Sequence, residues 1–117
     1  MRTGFHPEAA AELRAAALWY DERRAGLGDE LVEEVSALSQ RIAAAPTSYA
    51  VWPGLAWPAS PIRRALVDRF PYALAFEVQA ERIFILAVAH AKRRPLYWLR
   101  RGRHEPAQQA PEPDGRQ

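Results

Sequence analysis

The chain has 117 residues, 49% hydrophobic and 26% charged, the length and balance of one globular domain. It holds no cysteine, which excludes a disulfide framework, a thiolate metal site and a cysteine nucleophile. No apolar run nears the roughly 20 residues of a membrane span, and no apolar signal core follows Met1, so a cytoplasmic location without membrane contact is expected.

Charge is spread unevenly. Residues 1–61 carry 5 basic and 8 acidic side chains, net −3, whereas residues 62–104 carry 10 and 3, net +7. Residues 105–117 are net −2. The arginine-over-lysine bias accompanies abundant alanine and proline and needs no functional cause. The asymmetry along the chain does, because a segment this positive steers polyanions or acidic partners.

Residues 3–6 read as a short strand stopped by Pro7, which also suits a helix start. From Glu8 to about Arg24, Ala9, Leu13, Ala16, Ala17 and Tyr20 recur at helical spacing. Gly26 and Gly28 interrupt. A second helix is expected over Asp29–Ala45, with Leu31, Val35, Leu38 and Ile42 as its apolar stripe and Pro46 as its stop. The short link between them implies an antiparallel hairpin. Residues 46–61 hold four prolines and read as a connector, neither strand nor helix, with Trp52 and Trp57 pinning it to the core.

Three strands follow, over Ile62–Asp68, Tyr72–Gln79 and Ile83–Ala89. In the second, Tyr72, Leu74, Phe76 and Val78 share one face. The third is almost wholly apolar, as a central strand covered on both faces should be. Short connections make these an antiparallel meander. Pro95 to Arg101 is expected to form a last helical turn. The fold class is α+β: two layers, a helical hairpin on a small, mostly antiparallel sheet in the order β-α-α-β-β-β. Residues 1–102 are expected to form the domain and residues 103–117, rich in Pro, Gln and Glu, a disordered tail.

Common site types are missing. No phosphate-cradling glycine pattern and no nucleophile elbow occurs. His6, His90 and His104 are scattered, so no metal site and no cofactor is expected. What stands out is the run from His90 to Arg101, where Lys92, Arg93, Arg94, Arg100 and Arg101 are interleaved with Tyr97 and Trp98. Arginine and lysine bind phosphates and aromatic rings stack on bases, while Arg, Tyr and Trp also dominate protein interfaces. Arg63, on the first of these strands, and Arg69, at the junction before the second, join the candidate binding set. Alone, Trp98 reads as a core anchor, and Arg69 as the partner of Asp68, Glu77 or another acid. His90 could act as a general acid or base, or could simply hold its strand end.

These residues resemble the RelE/ParE superfamily of type II toxins. The likeness rests on Arg69-Phe70-Pro71-Tyr72, on Ala87-Val88-Ala89-His90 followed by Arg93, Pro95, Tyr97 and Trp98, and on Phe5-His6-Pro7-Glu8-Ala9 with Glu12-Leu13 and Trp19-Tyr20. It covers about residues 3–101. It implies a toxin neutralised by a cognate antitoxin in a hetero-oligomer, with plasmid stabilisation as a family role. RelE-like members cut mRNA in the ribosome without a metal, whereas ParE-like members poison DNA gyrase. RelE-like nucleases commonly carry an arginine at the position after Tyr72, and a lysine run before the meander. Here that position is Ala73, and residues 46–61 have no basic side chain. The resemblance therefore points to the ParE-like branch. The alternative is a ribosome-dependent nuclease using His90, Arg93 and Tyr97. A further alternative is a non-toxic nucleic-acid-binding domain on the same fold.

Overall fold

The computed structural model describes residues 1–55 and 62–102. Strand β1 (Arg2–Phe5) leads into helices α1 (Pro7–Arg23) and α2 (Leu27–Ala44), then strands β2 (Arg63–Leu66), β3 (Tyr72–Gln79) and β4 (Arg82–His90). The sheet order is β1-β4-β3-β2, with β1 parallel to β4 and the other pairs antiparallel. The expected α+β layout holds. Trp57 and the expected tail lie outside the described residues.

α1 starts where Pro7 fixes the first helical φ and His6 Nδ1 accepts the Glu8 N–H at 3.0 Å. Only Ala9 and Ala16 of α1 are fully buried. α2 buries Leu31, Val35, Leu38 and Ile42, the stripe read from the sequence. Each such side chain contributes about 2 kcal/mol on burial. α2 begins at Leu27, two residues earlier than its charge pattern suggests, so Gly28 lies inside the helix and not in the link. Gly26, at φ 90°, supplies the left-handed residue that turns the chain. Gly28 donates its N–H to Asp21 Oδ1 at 2.7 Å, tying the two helices at their crossing.

Residues 46–55 are more ordered than a plain connector. Pro46–Ser48 forms a 3₁₀ turn and Val51 bridges Arg63 at the edge of the sheet. The C-terminal turn is likewise 3₁₀ and shorter than expected, Leu99–Arg101.

Two cores flank the sheet. The hairpin side holds the α2 stripe with Leu74, Phe76, Ile83, Ile85 and Val88. The far side holds Ile62, Ala75, Leu86, Ala87 and Ala89 around Trp98, with Trp52 edge-on to Trp98 at 4.8 Å between centroids. The C-terminal segment and residues near Trp52 thus cover the second face, which accounts for the apolar β4. Alternation fails at one place. Ala75 pairs with Ala87 but Phe76 pairs with Ile85, so Leu86 is an extra residue, a β-bulge. The bulge resets which face each later residue takes and turns His90 to the Tyr72 side of the sheet.

A Cβ at position 28 would meet the Ala17 carbonyl oxygen and lie 2.9 Å from Asp21 Cγ. Gly28→Ala is expected to destabilise the fold by about 2–3 kcal/mol through forced separation of the helices, measured by urea unfolding.

Candidate functional site

Five sequence-predicted residues, His90, Arg93, Arg94, Tyr97 and Trp98, line one groove of about 570 Å³ on the far face of the sheet. Its floor includes the paired Ala73 and Ala89 of β3 and β4. Arg64, on β2, joins it from one side of β3, and Arg93 and Arg94 follow β4 on the other. Phe70, Tyr72 and Leu96 add apolar surface. The groove is an apolar trough with cationic margins.

A second hollow of about 430 Å³ opens on the hairpin side, lined by Trp19 and Tyr20 of α1 with Tyr72, His90 and Arg93. The last three line both hollows and form the ridge between them. On that ridge the His90 ring meets Tyr72 edge-on at 5.0 Å. His90 Nδ1 accepts the Lys92 N–H at 3.0 Å, so this nitrogen holds the turn after β4. Trp19 is 50% exposed, with the Arg23 guanidinium 3.6 Å from its ring centroid.

Glu12, on α1, binds three parts of the chain. One carboxylate oxygen accepts the Val88 N–H at 3.0 Å. The other accepts the Tyr97 hydroxyl at 2.8 Å and pairs with Arg101 at 3.1 Å. Arg101 also donates to the Leu86 carbonyl at 3.1 Å. Burial, the Glu12 hydrogen bond and the Glu12 charge all push the Tyr97 phenol upward, so it stays protonated as a donor. The Arg93 guanidinium lies 3.8 Å from the Tyr97 ring centroid. Sequence reading found Tyr97 and Arg101 but gave Glu12 no role at the site, only a favourable place near a helix start. Its only signal was its place in the N-terminal motif.

The remaining candidates divide. Arg63 donates to the Tyr49 carbonyl at 2.6 Å and so fastens the β2 edge. Trp98 is 1% exposed, so its ring is a core anchor with no surface to offer a partner. Arg69 pairs with Glu30 at 2.6 Å and Glu34 at 3.1 Å, and not with Asp68 or Glu77. Lys92, Arg94 and Arg100 are exposed, and among the described residues no carboxylate pairs with them or with Arg93. Among the described residues no group of three His, Asp or Glu side chains could hold a metal ion.

Arg69 has φ 70°, a left-handed conformation that costs a non-glycine residue about 1–2 kcal/mol. Its hydrogen bond, and the charges of Arg24 and Arg69, hold the Glu30 carboxyl below its ordinary range. A lowered folded value stabilises the fold above the ordinary carboxylate range. That contribution fades as pH falls through the folded value. Arg69→Gln keeps the backbone cost and removes the ion pairs. Its melting temperature is expected to fall less than that of the wild type between about pH 7 and pH 3, followed by thermal circular dichroism.

Residues 4–95 match the family model described as ParE toxin of type II toxin-antitoxin system, parDE. Among solved structures, a chain of the chromosomal ParDE TA system from P. aeruginosa superposes with a TM-score of 0.66 at 20% identity. The match covers 79% of this chain and 97% of that one, and at this identity it speaks to fold alone. No curated protein sequence matches.

Proposed function

The chain belongs to the ParE toxin family of type II toxin-antitoxin systems, and from that premise we propose that it arrests growth by binding DNA gyrase. A cognate antitoxin neutralises it in a toxin–antitoxin hetero-oligomer. Both partners place its action in the cytoplasm. Among the described residues no helix is long and apolar enough to cross a membrane.

One observation carries the choice of binding over cleavage. The Tyr97 hydroxyl is committed to Glu12, as is Arg101, leaving neither free to act on a substrate phosphate. Metal-free RNA cleavage needs a base, an acid and cations placed for the developing phosphate charge. Ala73 supports the same reading, because an alanine lies on the groove floor where RelE-like nucleases commonly place arginine. Lys92, Arg93 and Arg94 serve here as contacts for target and antitoxin.

The groove's chemistry suits the antitoxin. An apolar trough edged by Arg64, Arg93 and Arg94 complements a segment with apolar residues on one face and acids at its margins. Ribosome-dependent mRNA cleavage stays as the second reading, because His90 and Arg93 line both hollows.

Pulse labelling after controlled expression of the chain alone separates the two. DNA synthesis is expected to stop in the first minutes while protein synthesis continues. Early loss of translation, with His90→Ala and Arg93→Ala harmless and correctly folded, would establish the nuclease in its place. Antitoxin affinity is expected to fall as salt rises from about 0.05 to 0.5 M, measured by calorimetry.

A further inference from the structure

We propose that Glu12 is a positioning residue for the toxin's basic edge. Its carboxylate fixes Tyr97, and through the Tyr97 ring it sets the place of Arg93 on the ridge between the two hollows. This rests on reading that edge as the contact surface for the target.

The turn after β4 has little core of its own. Residues 91–95 are all exposed, and Lys92, Arg93 and Arg94 stand on them. Backbone bonds hold the near end, where the Ala91 N–H donates to the Pro71 carbonyl at 2.8 Å and the Arg93 N–H to the His90 carbonyl at 3.0 Å. Trp98 anchors the far end in the core. Between them Leu96 takes φ 63°, a left-handed conformation that leucine does not favour. A strained turn of this kind persists only where its surroundings enforce it. Leu96 and Tyr97 pack against the second core, the Tyr97 hydroxyl adds a directed link to Glu12 at 2.8 Å, and Arg93 rests on that same ring at 3.8 Å from its centroid.

A carboxylate is specifically required. Three donors converge on Glu12: the Val88 N–H, the Tyr97 hydroxyl and the Arg101 guanidinium. Two anionic oxygens can accept from all three. An amide of the same size offers one acceptor oxygen and turns its N–H groups against the other donors. Glu12 is 16% exposed at its side chain, as is Arg101, so water offers limited relief.

Glu12→Gln tests this with two readouts. Hydrogen–deuterium exchange of the purified full chain is expected to quicken by about tenfold across residues 91–101 and at Val88, whose N–H Glu12 accepts, while the rest of the β3–β4 core keeps its protection. Growth arrest is expected to need about tenfold more expressed toxin. Tyr97→Phe, which removes only the hydroxyl link, gives the same direction and carries the test if the glutamine variant fails to fold. In a Tyr97→Phe, Arg101→Gln background, adding Glu12→Gln is expected to change arrest no further, because one coupled unit is already broken. Unchanged exchange in residues 91–101, unchanged toxicity of a loosened chain, or additive effects would each overturn the proposal. If pulse labelling finds translation stopped first, the gyrase reading falls, and these outcomes still decide the role of Glu12.

Discussion

β4 is buried on both faces, and one of its edges is only half covered by another strand. β1 pairs with it from Arg82 to Ile85 and then stops, because Pro7 commits the chain to α1. Beyond Ile85 the edge still presents backbone groups near the core, and each needs a partner. Side chains supply what β1 does not. Glu12 takes the Val88 N–H and Arg101 takes the Leu86 carbonyl. The two then pair with each other. α1, the central strand and the C-terminal segment are therefore tied together by a need of the backbone.

The division of charge seen in the sequence becomes a division of roles. On the helical side one cluster of acids and bases is matched, with Arg24 and Arg69 on Glu30 and Arg69 again on Glu34. At the end of β4 most cations have no acid beside them among the described residues. Exposed ion pairs of the first kind add little stability. They do give Arg69 two acids to pair with, although its side chain stays 54% exposed. A net charge of +7 over residues 62–104 thus overstates the unpaired positive surface, which among the described residues near the groove comprises Lys92, Arg93, Arg94, Arg100 and the Arg64 margin.

Much of this was legible in the sequence. The α2 stripe, the hairpin, the doubly buried β4 and the order of elements follow from periodicity and proline placement. What periodicity cannot show is a change of phase. The β-bulge at Leu86 leaves no mark in an unbroken apolar run, so the side to which His90 turns was unreadable. Contacts between distant residues were equally hidden. Glu12 looks like an ordinary acidic residue near a helix start, where the helix dipole favours it. Its partners lie 76 and 85 residues away. Arg69 does pair with acids, as its sequence reading allowed, but which ones was hidden too, since Glu30 and Glu34 approach it only across the fold.

The ridge of Tyr72, His90 and Arg93 joins these features. It exists because the bulge turns His90 toward Tyr72, and because the Tyr97 ring, held by Glu12, carries Arg93 to the same place. Both hollows share it, one facing the hairpin and one facing the C-terminal segment. A partner that covers the ridge therefore obstructs both hollows at once. The same backbone constraint that left β4 half paired thus shapes the ridge that the two hollows share.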